Sequence, residues 1–313
     1  MKKNDKIYIA GHTGFLGSAI KKYLIKYGFK NLVYKTHKQL DLSNFNKVSK
    51  FFKIHKPDVV INAAGESGNL YQCMSKPAYL YNINSSIQNN LFEISRQNKV
   101  KKLVYIASSC IYPEHAKNPI KENSFLNGKL EAATEGLAAA KISGIIACKA
   151  YNNQYYNNKC KFIPVVPNTL FGPNDNFNLN EAHVFSALVK KFFDAVKKNK
   201  KEIKIFGSGK AKREFSFTYN IADAIIFLLK NSEKLENCHY NLGPGTEVSI
   251  KNLAKLISKV SNYKGKIVWD KDKHEGRLKK KLECSKIKNL GWRPLFDFDE
   301  ALNYTYNWYR NNR

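Results

Sequence analysis

Three glycines spaced three residues apart mark a place where the backbone could approach a charged ligand. They lie between an apolar stretch that ends at Ala10 and a helical pattern that begins at Ser18, in the run Gly11-His12-Thr13-Gly14-Phe15-Leu16-Gly17. Glycines allow a sharp turn, and the N-terminus of the following helix attracts a pyrophosphate. Because this is the first strand-to-helix junction of a βαβ series, we predict that these seven residues bind a dinucleotide rather than form a turn without a ligand.

The second strand indicates which dinucleotide this would be. NAD sites usually hold the ribose 2′-OH with an acid at the end of that strand. Residues 34–38 read Tyr-Lys-Thr-His-Lys and contain no acid. A basic patch suits a 2′-phosphate, so we predict NADP(H) with Lys35 and His37 beside it, although surface lysines of a Lys-rich chain would look the same. Asp41 could reach the adenine side.

A second group of reactive side chains follows the fourth predicted strand. Residues 106–113 read Ile106-Ala107-Ser108-Ser109-Cys110-Ile111-Tyr112-Pro113, and Lys141 lies about thirty residues later on a predicted helix. In an open α/β sheet, ligands bind at the carboxyl ends of the strands. Ser108 could hydrogen-bond a carbonyl oxygen, or simply end the strand. Cys110 could be an acid or base, or only a small buried apolar residue.

The elements that would position these groups alternate regularly between strand and helix. Ala63 and Ala64 end the third strand, where small residues let a cofactor lie against the backbone. The alternation predicts a Rossmann-type, doubly wound parallel sheet of the α/β class, followed by a smaller C-terminal α/β region. Strands are predicted at Lys6–Ala10, Leu32–Lys35, Val59–Ala63, Lys102–Ala107, Phe162–Val166 and Ile203–Phe206. Helices are predicted at Ser18–Tyr27, Asn44–His55, Tyr79–Asn98, Ala132–Asn152, Ala182–Lys198, Asn220–Lys230, Ile250–Ser261 and Phe298–Tyr309.

The pattern changes near Pro167 and predicts two domains that share the chain. We assign residues 1–166 and about 209–232 to the dinucleotide-binding domain. Residues 167–208 and 233–313 would form the substrate domain. Asn220 is placed as the N-cap of a helix in the returning segment.

The charge balance suggests nucleic-acid binding, but the residue types argue against it. The 313 residues carry a formal charge of +28, from 53 Lys+Arg against 25 Asp+Glu. Arg, the residue of base and bidentate phosphate recognition, occurs only six times among those 53. The chain also has 35 Asn. A joint enrichment in Lys and Asn favours codon drift in an A/T-rich genome over nucleic-acid binding.

Cysteine spacing and hydropathy further limit the class of protein that the sequence can encode. None of the six cysteines forms a C-x-x-C pair, so no zinc or thioredoxin site is indicated, and the thiols are expected to be reduced. The sequence has no run of 18 apolar residues and no signal-peptide pattern at its start. We therefore expect a soluble cytoplasmic protein with no metal and no membrane partner.

The motifs together resemble the GDP-L-fucose synthase family of the extended short-chain dehydrogenase/reductase superfamily, nearly end to end. The residues that carry the resemblance are Ala10-Gly11-His12-x-Gly14-x-x-Gly17-Ser18-Ala19-Ile20, Ser108-Ser109-Cys110-Ile111-Tyr112-Pro113, Ala140-Lys141-Ile142-x-Gly144, Tyr151-Asn152-x-Gln154-Tyr155, Gly172-Pro173-x-Asp175-Asn176-Phe177, His183-Val184, Gly207-Ser208-Gly209-x-x-x-Arg213-Glu214-Phe215 and Leu290-Gly291-Trp292.

The resemblance implies an NADPH-dependent 3,5-epimerase/4-reductase acting on a GDP-4-keto-6-deoxy-sugar, in GDP-L-fucose-type nucleotide-sugar biosynthesis, and a homodimer. Cys110 and His183 match the family's acid/base pair at C3 and C5, although His183 alone could be only a helix-start residue. Ser108 would hydrogen-bond the C4 carbonyl, and Lys141 would hold the nicotinamide ribose. The stretch along the nicotinamide would be Pro167-Asn168-Thr169-Leu170.

The residues matching the family's GDP-sugar site are Lys191, Phe206, Arg213, Glu275 and Lys280. Cations suit a diphosphate, and a guanidinium can grip it bidentately. Phe206 stands where the family usually has Trp, and Lys191 replaces a usual Arg. Lys191 and Lys280 could equally be surface charges.

One position breaks the family pattern. The superfamily uses Tyr-x-x-x-Lys, in which the tyrosine donates a proton as hydride reaches C4. Here Leu137 stands four residues before Lys141, and no tyrosine lies between Tyr112 and Tyr151. The enzyme could therefore reduce slowly with another donor, epimerise only, or bind nucleotide sugar without turnover.

Overall fold

The computed structural model describes residues 1–68, 70–270 and 279–313. The strands are β1 Ile7–Ala10, β2 Leu32–Val33, β3 Val59–Asn62, β4 Lys102–Ile106, β5 Phe162–Pro167, β6 Thr169–Phe171, β7 Glu202–Phe206, β8 Lys212–Arg213, β9 Phe215–Phe217, β10 Tyr240–Leu242, β11 Val248–Ser249, β12 Lys266–Asp270 and β13 Lys279–Lys280. The helices are α1 Phe15–Lys26, α2 Phe45–His55, α3 Leu70–Ser75, α4 Pro77–Gln97, α5 Glu135–Tyr156, α6 Val184–Lys197, α7 Thr218–Lys230, α8 Ile250–Ser261, α9 Ser285–Asn289 and α10 Phe298–Asn311.

A six-stranded parallel sheet forms the centre of the molecule, in the order β10-β5-β4-β3-β1-β2. Every residue of β1, β3 and β5 is buried, as expected for strands covered on both faces. Helix α4 packs against α2 and α5, whereas α1 packs against α7. The predicted α/β doubly wound fold class is confirmed.

The edge strand β10 corrects one part of the predicted domain division. Tyr240–Leu242 falls within residues 233–313, which were assigned to the substrate domain. It pairs in parallel with Val165–Pro167 and so extends the nucleotide-binding sheet. The strand is only three residues long and carries Asn241, so its apolar pattern is too short to be read. The rest of the division stays a prediction.

A second correction concerns Asn220. Helix α7 begins at Thr218, so Asn220 lies inside its first turn rather than at its N-cap. Its side-chain oxygen accepts hydrogen bonds from the backbone N–H groups of Leu295 and Phe296, both at 3.0 Å. Its amide donates to the Phe296 carbonyl at 2.9 Å. The Asn220 amide, which would suit a local helix cap, thus binds the backbone of a segment 75 residues away along the chain.

Smaller sheets lie in the C-terminal half of the chain. Strand β8 lies between β11 and β13, β12 pairs with β7, and β6 pairs with β9. The pairing of β8 with β13 sets Arg213 opposite Lys280. Among the described residues, no helix is long and apolar enough to cross a membrane.

The buried carboxylate of Glu214 joins these parts to the sheet. It is fully buried and accepts hydrogen bonds from the Asn168 amide at 2.8 Å, the Gly245 N–H at 2.7 Å and the Leu282 N–H at 2.8 Å. Burial raises its pKa, while these donors favour the charged form. One side chain therefore fixes three segments that are distant in sequence.

The β1–α1 loop is held by very close backbone packing. A Cβ on Gly11, where φ is +76°, would lie 2.6 Å from the Ala63 carbonyl oxygen, and one on Gly17 would lie 2.0 Å from the Gly11 carbonyl oxygen. Only glycine fits at either place.

We predict that Gly17→Ala lowers the free energy of unfolding by about 1–3 kcal/mol, because backbone atoms must move to admit the methyl group. Gly14→Ala is the matched control, since its Cβ would meet only the Gly11 oxygen, at 3.2 Å. Urea denaturation followed by circular dichroism measures both. Equal losses in the two variants would contradict the packing described here.

Candidate active site

One cavity of about 590 Å³ lies at the carboxyl ends of the parallel strands. It brings together predicted residues from the loops after β1, β3, β4 and β5 and from α5, α6 and β13. Those that line it are Gly14, Phe15, Leu16, Ala63, Ala64, Ile106, Ala107, Ser108, Ser109, Cys110, Lys141, Pro167, Asn168, Thr169, Leu170, His183 and Lys280.

Other predicted site residues do not line this cavity. On the cofactor side they are Gly11, His12, Thr13, Gly17, Lys35, His37 and Asp41, and on the substrate side Lys191, Phe206 and Arg213. Glu275 lies outside the described residues. Asn62 and Gly65, which flank the two alanines at the end of β3, also line it. Two stretches that the sequence did not single out line it as well, namely residues 66–68 with Gln72 and Cys73, and Thr134. Their position directly after β3 or before α5 was the available signal.

The start of α1 fits a dinucleotide pyrophosphate. Gly14 is its N-cap, no acid occurs in its first turn, and Gly14, Phe15 and Leu16 face the cavity. The helix N-terminus therefore presents N–H groups and a positive dipole end to this part of the cavity.

The chain after β2 gives mixed support for the predicted cofactor contacts. His12 stacks on Tyr34 with ring centroids 4.5 Å apart, and Lys21 lies 4.0 Å from the centroid of the same ring. Burial and the Lys21 charge lower the pKa of His12. Asp41 accepts hydrogen bonds from the Ser43 N–H and hydroxyl, at 2.9 and 2.7 Å, and these lower its pKa.

Lys35 and His37 are basic residues of the segment that follows β2. Lys35 is half-buried and His37 is exposed. Neither lines the cavity, so their approach to a 2′-phosphate stays a prediction.

A short 3-10 turn at Ser109–Ile111 presents the serine and cysteine groups at the end of β4. The Ser108 oxygen accepts from the Cys110 N–H at 3.5 Å, and the Ser109 hydroxyl donates to the Asn168 side-chain oxygen at 3.2 Å. Two residues on, the Tyr112 hydroxyl is bonded to Asn241 at 2.6 Å and to the His239 ring at 3.0 Å. The loop is therefore fastened to β5 and β10.

Lys141 lies at the floor of the cavity. Its ammonium donates to the Ile106 carbonyl at 3.2 Å. Within the described part of the chain it makes no salt bridge. Burial lowers its pKa to about 8, with the Cys110 thiol acting in the opposite direction.

Leu137 occupies the cavity wall one helical turn before Lys141. It is 5% exposed and belongs to a small apolar cluster with Cys73, Leu80, Cys110 and Ala138. Where the superfamily pattern has a phenol, this chain presents only hydrocarbon.

Two further ionisable groups of the cavity, His183 and Asp175, come from the segment before α6. His183 is the N-cap residue of α6, and loss of hydration in the cavity lowers its pKa, so the ring is neutral at pH 7. Asp175 accepts hydrogen bonds from the Ser186 hydroxyl and, at 2.8 Å, from the Asn176 N–H. Burial nevertheless raises the pKa of Asp175 to about 6.

Lys191 and Phe206 lie next to each other outside the cavity wall, and Arg213 lies outside it in β8. The Lys191 ammonium lies 4.6 Å from the centroid of the Phe206 ring and donates to the Lys204 carbonyl at 3.2 Å. The Phe206 ring is 59% exposed. Arg213 donates to the Lys212 carbonyl at 2.8 Å.

We predict that Asp175 makes stability fall as pH rises from about 4 to about 6. Its carboxyl binds a proton more tightly in the folded chain than in the unfolded one. The free energy of unfolding therefore decreases as this proton is lost between about pH 4 and about pH 6. Asp175→Asn removes the titration but keeps an oxygen for Ser186, and should flatten this part of the curve of unfolding free energy against pH. Asp299→Asn, at an exposed acid of α10, should leave the slope in place. An unchanged slope in Asp175→Asn would show that the carboxyl is not desolvated.

Comparison with known proteins identifies the family. Residues 7–243 match the NAD dependent epimerase/dehydratase family. The chain is 41% identical over 312 residues to a putative GDP-L-fucose synthase 2 of Arabidopsis thaliana, covering 100% of this chain and 94% of that protein. It is 36% identical to the GDP-L-fucose synthase of Escherichia coli, covering 99% and 98% of the two chains.

A solved structure supports the same assignment. The GDP-mannoheptose C4 reductase of Campylobacter jejuni, described with NADP bound, superposes with a TM-score of 0.91 at 37% identity and covers 99% of each chain. The resemblance predicted from the motifs is confirmed: this chain belongs to the NAD dependent epimerase/dehydratase family and, within it, to the GDP-L-fucose synthase family.

Proposed function

We propose that this chain is an NADP(H)-dependent GDP-sugar 3,5-epimerase and 4-reductase whose substrate is a GDP-4-keto-6-deoxy-sugar. The observation that most supports this function is the shared position of four side chains. Ser108, Cys110, Lys141 and His183 all line one cavity that also opens onto the N-terminus of α1. Acid, base, carbonyl-binding and cofactor-binding groups thus share one cavity.

The cofactor residues fit NADP(H). The glycine loop and α1 would hold the pyrophosphate, Lys35 and His37 the 2′-phosphate, and Lys141 the nicotinamide ribose. Ile106, Ala107, Ala63 and Ala64 leave room for the cofactor, and residues 167–170 would lie along the nicotinamide. When bound, the reduced nicotinamide supplies hydride to C4 of the sugar.

Epimerisation would be the work of Cys110 and His183. Protons at C3 and C5 are acidic because they are alpha to the C4 carbonyl, and Ser108 would hydrogen-bond that carbonyl oxygen. A neutral His183 imidazole can accept a proton, and the Cys110 thiol can return one on the other face. Both side chains line the cavity, so one bound sugar can meet both.

The GDP end of the substrate would lie towards β8 and β13. Arg213 and Lys280 are opposite each other across these strands, and a diphosphate suits two cations. Lys191 and the exposed Phe206 ring are adjacent to each other, so we propose that Phe206 stacks on guanine. For Glu275, the sequence motif is the only support for a role in binding the GDP-sugar.

We predict that the protein, given GDP-4-keto-6-deoxymannose in D₂O without NADPH, incorporates deuterium at C3 and C5. Cys110→Ser should slow the exchange by about 10²–10⁴-fold, because the acid/base group is lost. Cys238→Ser is the matched control, since Cys238 does not line the cavity, and should exchange at the wild-type rate. Nuclear magnetic resonance of the sugar measures both. Bound substrate that gains no deuterium would refute the proposal.

We also propose a homodimer formed through α3, α4 and α5. Several large apolar side chains are exposed there, namely Leu70, Tyr71, Met74, Tyr79, Tyr81, Ile146 and Tyr155. Helix α4 packs against both α3 and α5, and a large exposed apolar surface usually marks an interaction site. Since all six cysteines are free thiols, we place this dimer in a reducing compartment, the cytoplasm.

We predict that Tyr81→Glu shifts the protein from dimer to monomer, because a buried charge at the interface would be unpaired. Light scattering after size-exclusion chromatography gives the mass directly. Ile54→Glu changes another exposed apolar residue, on α2, and should leave the dimer intact. A wild-type monomer of 35.9 kDa at all concentrations would contradict the dimer.

A further inference from the structure

We propose that Lys141 is the acid that protonates the C4 oxygen during reduction, the task that a tyrosine four residues earlier would otherwise perform. This proposal rests on the function proposed above. It assigns a proton-donating role to a residue that the family pattern uses to support the tyrosine and hold the ribose.

The need for another donor follows from Leu137. Its side chain is buried in the cluster of Cys73, Leu80, Cys110 and Ala138, so the cavity wall at this point carries no hydroxyl. Tyr105 lies close to Lys141, with its ring centroid 5.5 Å from the ammonium. Its hydroxyl donates to Gln88 at 2.6 Å, and burial raises its pKa well above the usual value. It cannot serve as the acid.

The position of Lys141 suits proton donation. Residues 137 and 141 are one turn apart on α5, so both face the same side of the helix. The Lys141 ammonium lies at the end of β4, bonded to the Ile106 carbonyl and close to Gly65 at the end of β3. Two of its three N–H groups have no partner among the described residues, and the side chain lines the cavity beside Ser108.

Electrostatics of the surroundings make this ammonium a usable acid. Burial lowers its pKa to about 8, so it is mostly protonated at neutral pH yet gives up the proton at low cost. The titratable groups that line the cavity with it, in the described part of the chain, are Glu66, Cys73, Cys110, Asp175, Glu181, His183 and Lys280. Beneath it lies Tyr105.

The other candidates are less suited to the step. A carboxyl with a pKa of about 6, as at Asp175, is mostly ionised at neutral pH. His183 has a lowered pKa and is neutral there. A serine hydroxyl such as Ser108 is too weak an acid to act without a proton source behind it. The lysine ammonium is that source.

The proposed step balances as follows. C4 accepts hydride, with its two electrons, from the reduced nicotinamide, and the carbonyl π bond becomes a lone pair on oxygen. One N–H bond of Lys141 breaks and an O–H bond forms at C4, directly or through one water. Lys141 is left as a neutral amine, and a proton from solvent restores it.

The test is the pH dependence of C4 reduction, measured as a single turnover from NADPH absorbance with saturating 4-keto sugar. The wild-type rate should fall about tenfold per pH unit above an apparent pKa near 8, because only the ammonium donates. Lys141→Arg keeps the charge but cannot donate, since a guanidinium stays protonated. It should bind NADPH within about threefold of wild type and reduce about 10²-fold more slowly. Lys149→Met, on the same helix but outside the cavity, should match the wild type.

A second readout needs no turnover. Labelling of the cofactor-free protein with acetic anhydride at several pH values, followed by peptide mass spectrometry, gives the ionisation of the Lys141 amine. It should coincide with the kinetic pKa near 8, and Lys53, exposed on α2, serves as the internal reference. A lysine that only supports the structure would show no such coincidence.

The outcomes separate this inference from the proposed function. A wild-type rate that is constant from pH 7 to about 10 would overturn the role of Lys141 and leave the function standing. A wild type that cannot reduce while Leu137→Tyr can would overturn both the role of Lys141 and the reductase half of the proposed function, and would leave the epimerase half standing. If neither reduces although both bind NADPH and the GDP-sugar, the proposed reductase function fails, and the inference fails with it.

Discussion

The tight contact between the first glycine loop and the end of β3 determines where every reactive group lies. Because the Gly11 backbone reaches the Ala63 carbonyl, α1 begins directly at the carboxyl edge of the sheet. Parallel pairing then brings the ends of β1, β3, β4 and β5 to the same edge. Cofactor loop, serine–cysteine turn and the 167–170 stretch therefore surround one cavity, although more than 150 residues separate the first from the last.

Glu214 extends this arrangement to the substrate side. Its carboxylate holds the Asn168 amide, whose oxygen in turn receives the Ser109 hydroxyl. It also holds the Leu282 N–H, two residues after Lys280 in β13. The buried Glu214 carboxylate thus links two parts of the site. One is the turn that carries Cys110, and the other is the strand that carries a proposed diphosphate contact. These hydrogen bonds oppose the desolvation that raises the pKa of Glu214.

Sequence reasoning located the central strands and the cavity residues well, because both depend on local patterns. Apolar runs such as Val59–Asn62 and glycines at a strand end have few alternative explanations. It failed where tertiary contacts decide. Asn220 bonds a distant backbone segment instead of its own helix end, and β10 forms only because β5 offers a free edge. Lys191, Phe206 and Arg213 matched a family pattern, yet the cavity wall does not include them, since a motif carries no distance from the site. Residues 66–68 match no motif, and only their position shortly after β3 indicates that they line the cavity.

The charge of +28 takes on a narrower meaning in this setting. Both proposed ligands are polyanions, so a positive field can speed their capture, but the chemistry depends on very few of the 53 basic residues. The most direct test of the whole account is product analysis by nuclear magnetic resonance after incubation with GDP-4-keto-6-deoxymannose and NADPH in D₂O. We expect a GDP-sugar that carries deuterium at C3 and C5 and is reduced at C4, with one NADPH consumed per molecule. Recovery of the 4-keto sugar, undeuterated and unreduced, from protein that binds both ligands would contradict it.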